Sequence, residues 1–289
     1  MNAPRSRTGM RRAIVILPGA FTTGNLFFGI FSIVEATRGN FAHASWFILA
    51  GGVLDGLDGS AARMTRTGTA FGAELDSLVD AVTFGVAPAL LVYFHTFHGG
   101  EWAWLLSFLF VLAVVLRLAR FNVEQAGHAK TQFFGLPSPG AGILIASYFP
   151  FSQTPFFERY LASVLGTPLA LAVMMVGCSL LMVSHVPYPT APRPGVKSAK
   201  GLITMAAILV TAVAVLYVPE YFVFPALALY VVAGVVRAVL LGLLERRPER
   251  EPLTDEAEED DDAGRPTDDE LMPRLLPFRV RRRRRGGNP

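Results

Sequence analysis

Apolar residues gather along this chain into long blocks separated by short polar joints. Blocks of roughly 17–25 residues have the length that crosses a bilayer as helix. Their flanks place spans near residues 14–34, 41–58, 74–97, 102–120, 138–152, 168–186, 201–218 and 221–243. The pattern predicts an all-α integral membrane protein with about eight transmembrane helices. The fifth block is short and bracketed by Pro137, Pro139, Pro150 and Pro155, and only the turn at Pro219-Glu220 divides the last two. Ala42-His43-Ala44 resembles a signal-peptidase site. However, the apolar run Ile14–Val34 exceeds the roughly 7–15 residues of a signal sequence, so it counts as a span.

Composition sharpens this picture. Hydrophobic residues make up 52% of the chain and charged residues 17%, against about 25% charged in soluble domains. Mean hydropathy is +0.42. Of the 49 Asp, Glu, Lys and Arg residues, 24 lie in 245–289, which leaves the body too poor in charge to face water as one domain. Every second joint is basic: Arg5, Arg7, Arg11 and Arg12; Arg63 and Arg66; Arg117, Arg120 and Lys130; then Arg193, Lys197 and Lys200. The alternate joints hold only Arg38 and Arg159. Basic joints stay cytoplasmic, so both termini are expected there, as in a multi-pass protein of the plasma (inner) membrane.

The tail, 244–289, is acidic up to residue 270 and ends near the run Arg281–Arg285. It is expected to be disordered, either simply solvated or touching anionic lipid headgroups at about 1 kcal/mol per basic residue. The net charge of +3 averages these two blocks, and the body gives no sign of nucleic-acid binding. Cys178, the single cysteine, lies in an apolar run and reads as a buried thiol; no disulfide framework is available.

The chemistry is concentrated in one place. Before Asp255 the only aspartates are Asp55, Asp58, Asp76 and Asp80, at the cytoplasmic end of one apolar block and the start of the next. An ionised carboxylate at membrane depth costs about 2.5–3.5 kcal/mol even on lenient scales, and four together repel. Asp55 and Asp58 are i, i+3, while Asp76 and Asp80 are i, i+4, so each pair shares a helical face. Facing helices would then converge four carboxylates on one pocket, which suits Mg²⁺, Mn²⁺ or Ca²⁺. Gly56, Gly59, Gly72 and Ala62 allow a bulky phosphate-bearing ligand to come close, and Arg63 can pair with phosphate. The solvated-loop alternative leaves these specialised neighbours idle.

The pattern D-x2-D-G-x2-A-R-x8-G-x3-D-x3-D, filled by Asp55, Asp58, Gly59, Ala62, Arg63, Gly72, Asp76 and Asp80, resembles the CDP-alcohol phosphatidyltransferase signature at every fixed position. The resemblance covers roughly 14–186, and implies a six-helix core to which 187–243 adds a cytoplasmic loop and two further helices; 1–13 is a cytoplasmic segment. It also implies two Mg²⁺ or Mn²⁺ ions, a homodimer and a CDP-linked lipid donor. By residue matching, Asp55 and Asp76 would bridge both ions, Asp58 and Asp80 would each complete one site, and Asp80 would act as general base. Gly59, Ala62, Arg63, Thr69 and Gly72 would hold the CDP portion.

Other segments, L-P-G-A-F-T-T-G-N-L at Leu17–Leu26, F-G-V-A-P-A at Phe84–Ala89, R-L-A-R-F-N at Arg117–Asn122 and F-x-G-L-P-S-P at Phe133–Pro139, are similar to integral-membrane phosphatidylserine synthases. Gly19 departs from that pattern, which has Asn there; Thr22, Thr23 and Asn25 remain as CDP-lipid contacts. The resemblance implies transfer of a phosphatidyl group from CDP-diacylglycerol to L-serine, releasing CMP. A serine acceptor brings a carboxylate. Arg117 and Arg120, i, i+3, can share a face to grip it, with Asn122 and Lys130 as weaker companions; the alternative is cations that snorkel. Alternative functions are the same transfer to glycerol phosphate, inositol phosphate or choline, and a cation transporter using the aspartates.

Among other polar residues, Glu74 reads as a helix-start acid, Glu35 with Arg38 as an interfacial ion pair, and Arg237 as snorkelling. His185 and Tyr188 fit a span terminus or a substrate-cavity border, and Gly52-x3-Gly56 a close helix contact.

Overall fold

The computed structural model describes residues 6–65, 70–127, 135–184, 186, 188, 211, 213–215 and 217–244, with side chains over 19–60, 71–123, 135–184, 186, 188, 211, 213–215 and 217–240. The chain divides into a body, Met1–Leu244, and a separate unit, Glu245–Pro289. The tail and the expectations placed on it lie outside the described residues, as do Thr69, Lys130, His185 and most of the span expected at 201–218.

Every described element is helical: α1 (Ser6–Thr37), α2 (Phe41–Thr65), α3 (Ala70–Asp80), α4 (Ala87–Val92), α5 (Trp104–Gly127), α6 (Ser138–Ser152), α7 (Pro155–Tyr160), α8 (Ala162–Leu165), α9 (Pro168–Val183) and α10 (Pro219–Leu244). Three stretches, Phe71–Phe97, Trp104–Val123 and Pro219–Leu240, are long and apolar enough to cross a membrane. The chain is therefore a membrane protein. Helices α6 and α9, of 15 and 16 residues, rise only about 22–24 Å at 1.5 Å per residue, short of a hydrocarbon core of about 30 Å. Of the eight expected spans, the fifth is thus a helix with the expected bounds but below spanning length.

Helices α1 and α2 form a hairpin whose corner explains itself. Gly39 sits at φ +82°, a left-handed conformation that closes a helix C-terminus and favours glycine. The Gly39 and Asn40 amides donate to the carbonyls of Ala36 and Glu35 at 3.1 and 3.0 Å. The Glu35 carboxylate accepts from Arg38 at 2.8 Å and from Asn40 at 2.7 Å. The expected ion pair is present, inside a corner that satisfies itself.

Between α3 and α4 the helix widens into a π turn, Ala81–Val86, where the Ala87 amide bonds to Val82 five residues back. Pro88 supplies the reason. It has no N–H for the Phe84 carbonyl and its ring crowds that position, so a regular turn cannot be completed. A second π segment, Tyr93–Phe97, ends this helix.

The middle of the body is α6, buried from Ala141 to Phe151 apart from Ile143. A helix apolar on all sides belongs inside. A Cβ on Gly142 would meet the Phe84 carbonyl at 2.5 Å, and one on Gly52 would meet Ile143 at 2.6 Å, so small residues let α6 approach both the π turn and α2. Gly52 thus makes the close contact expected of it; Gly56 faces open space. Gly135, at φ +83°, leads into α6 with its amide bonded to Val186 at 2.9 Å, and Leu136 donates to Leu181 at 3.1 Å. The start of α6 is therefore fastened to the end of α9. Helix α10 packs on α6 through Phe224, whose ring stacks on Phe151 at 5.0 Å. Its other face exposes Leu229, Val232, Val236 and Val239, as lipid contact allows. Trp102 and Trp104 stand exposed at the start of α5, the place where aromatic residues anchor a helix at the membrane surface.

Candidate active site

Asp55 and Asp58 lie on α2, and Asp76 and Asp80 on α3. One carboxylate oxygen from each of Asp55, Asp76 and Asp80 falls within 4.8 Å of the others. Each ionised pair at that separation repels by about 3–4 kcal/mol at an effective dielectric of about 20. Three such pairs rival the ~5–15 kcal/mol that holds a whole domain together. A cation among them removes that penalty. The donor set, all hard oxygen, suits a divalent ion, and the buried Asp76 Oδ1 has no hydrogen-bond partner, which leaves it available as a ligand.

Asp58 stands beside this group: its Oδ2 accepts a 2.5 Å hydrogen bond from the Thr22 hydroxyl of α1, and its charge acts on Asp76 and Asp80. Thr22 and Asn25, one turn apart, are buried and face the acids; the Asn25 side-chain amide lies 3.5 Å from Asp80 Oδ1. Asn25 Oδ1 is buried without a partner. Thr23, on a different face, is exposed and bonds the Gly19 carbonyl at 2.7 Å. The structure does not bring it to the acids.

Gly59 and Gly72 are half-buried on the two acid-bearing helices. Ala62 and Arg63 lie on the last turns of α2, with side chains outside the described set. The π turn starts one residue after Asp80, and its Thr83 hydroxyl donates to the Asn25 carbonyl at 3.2 Å. That bond fastens the segment carrying Asn25 to the segment carrying Asp80. The sequence reading missed this turn, although Pro88 signals it.

Glu74 is not in the first turn of α3, which begins at Ala70. It accepts a 3.2 Å bond from Asn122, whose oxygen accepts from Ser77 at 3.2 Å. Asn122 therefore ties α5 to α3, an occupation the acceptor-binding expectation did not foresee. Arg117 donates to the Ser138 hydroxyl at 2.9 Å, carries its guanidinium 5.9 Å from the Phe121 ring centre, and acts electrostatically on Asp80 and on Tyr230 of α10. Its Nε is buried and unpartnered. Arg120, one turn on, is half-buried.

The chain is 34% identical over 229 residues, 79% of its length and 93% of the relative's, to a CDP-diacylglycerol–serine O-phosphatidyltransferase of Helicobacter pylori (strain J99). It is 32% identical to one of Mycobacterium bovis, over 75% of each chain. An archaetidylserine synthase of Methanothermobacter thermautotrophicus is 34% identical over 65% of this chain and 75% of its own. Residues 15–185 match the CDP-alcohol phosphatidyltransferase sequence profile, and the chain belongs to that family.

Proposed function

We propose that this protein transfers the phosphatidyl group of CDP-diacylglycerol to the hydroxyl of L-serine, giving phosphatidylserine and CMP. The observation that carries the reading is the convergence of Asp55, Asp76 and Asp80 at the family motif; the names of the relatives point to serine. The family match weighs against a cation path.

Serine's hydroxyl is a weak nucleophile and needs a base as it attacks. Asp80 takes that proton on a carboxylate oxygen, with Asn25 fixing the orientation. Asp55, Asp76 and Asp80 would hold two divalent ions, Mg²⁺ or Mn²⁺ with Ca²⁺ as a bound substitute, and Asp58, braced by Thr22, would complete the set. When bound, such ions would supply positive charge against the pyrophosphate and the charge developing on the departing CMP. Gly59, Ala62, Arg63, Thr69 and Gly72 hold the CDP portion. The new O–P bond forms as the bond to CMP breaks, with no covalent enzyme intermediate. The site faces the cytoplasm of the inner membrane, both termini lie on that side, and the active form is a homodimer.

Purified protein is incubated with CDP-diacylglycerol, Mn²⁺ or Mg²⁺ and a panel of acceptors, scoring CMP release. Release dependent on serine supports the reading. Release only with glycerol phosphate, inositol phosphate or choline overturns the acceptor assignment.

A further inference from the structure

Among the described residues three buried donors have no partner: the Ser32 hydroxyl on α1, Arg117 Nε on α5, and the hydroxyl of Tyr188, a residue 95% buried in the segment after α9. The last two share a neighbourhood. A buried polar group left unpaired destabilises a fold, and native proteins keep few of them without a reason such as a ligand. Several contacts put these two donors in one corner. Tyr188 stacks at a tilt on Tyr230 of α10, with ring centres 5.4 Å apart. Tyr230 in turn lies within electrostatic reach of Arg117 as well as of Tyr188. The strand of chain holding Tyr188 is bonded to Gly135 through Val186, and three residues beyond Gly135 stands Ser138, the partner of Arg117. Packing fixes the tyrosine: a Cβ on Gly234 of α10 would overlap its ring. Burial pushes the Tyr188 phenol up to about 12, so at neutral pH it is a donor.

Two orphaned donors that both neighbour Tyr230 call for an acceptor, and an anionic one is favoured beside a guanidinium. We infer that Tyr188, supported by Tyr230, is a specificity-determining residue whose hydroxyl hydrogen-bonds the carboxylate of the amino-acid acceptor alongside Arg117. This rests on the reading of serine as acceptor. It also goes beyond it, because Tyr188 and Tyr230 lie outside the family-matched residues 15–185. The acceptor would then be selected partly by segments that the family profile does not span.

Tyr188→Phe removes the hydroxyl and keeps the ring. Initial rates are measured for serine and for ethanolamine, which has the hydroxyl and the amine but no carboxylate, with CDP-diacylglycerol binding and the melting temperature in detergent alongside. Expected are a serine KM raised roughly 10- to 100-fold, little change in kcat or donor binding, and a serine-over-ethanolamine preference reduced by a similar factor. The melting temperature should hold or rise, since an unpaired polar group is gone. An unchanged serine KM and preference overturns the inference. So does a parallel fall in kcat, donor affinity and melting temperature, which would mark a structural hydroxyl. Should the unmodified protein ignore serine and use another alcohol, the proposed function falls first, and that result appears before any variant is made.

Discussion

Two polar clusters among the described residues of this helical body are deficient in opposite ways. The α2–α3 cluster has carboxylates in excess: Asp55, Asp76 and Asp80 crowd together, with the Asp76 and Asn25 oxygens left without donors. The cluster of α5, α10 and the segment after α9 has donors in excess, with Arg117 Nε and the Tyr188 hydroxyl left without acceptors. The corner at Glu35 shows what completion looks like, since both of its carboxylate oxygens are bonded. Incomplete clusters mark where ligands belong, and the sign of the deficit says which: cations at the first, an anion at the second.

The sharpest way to break this comparison is to remove one of the crowded acids. Asp55→Asn or Asp76→Asn should abolish CMP release, and chelation of divalent ions should do the same to the unmodified protein until Mg²⁺ or Mn²⁺ is restored. Near-normal turnover at saturating metal in either variant would remove the cation assignment. Asp80→Asn should lower kcat by about 10²–10⁴-fold while CDP-diacylglycerol still binds; complete loss of donor binding would make Asp80 a ligand first. At the other cluster, Arg120→Ala should raise the serine KM by roughly tenfold and leave donor affinity nearly unchanged. A constant KM would confine carboxylate recognition to Arg117 and Tyr188.

The self-satisfied corner is the control, with the smallest effect. Hydrogen bonds from Asn40 and then Arg38 hold the Glu35 carboxyl below the usual carboxylate range. Its stabilisation is therefore complete above the unfolded value and fades as pH falls through the lower folded one. Glu35→Gln should leave turnover unaltered and flatten that acid-side dependence slightly, as read from melting temperatures between neutral pH and about pH 4. A loss of activity would mean that completeness does not separate the clusters.

Much of the acid cluster was legible because helical spacing is a local rule. Asp76 and Asp80 at i, i+4 had to share a face, and the bounds of α6 followed from its flanking prolines. The same rule, applied to Thr22, Thr23 and Asn25, separates Thr23 from its neighbours, but the motif match grouped all three. Spacing placed Asp58 on the same helical face as Asp55, but it cannot show that a threonine 36 residues earlier bonds its carboxylate. Tyr230 carried no signal. Its meeting with Tyr188 joins parts of the chain 42 residues apart, and nothing in an apolar run distinguishes the tyrosine that turns inward.

The wide turn forced by Pro88 makes the orientation of Asp80 a matter of counting as well as of chemistry. A helix that closes five residues back instead of four holds one residue more than its regular counterpart, so everything after it is advanced by about 100°. Deleting a single residue between Ala81 and Val86 would keep all four aspartates and still rotate the acid-bearing half of the helix against the half anchored on α5 and α6. Alignments that place a gap there would join proteins with identical motifs and differently aimed carboxylates. In this fold the phase of a helix is heritable information, written in length and invisible to any comparison of residue identities.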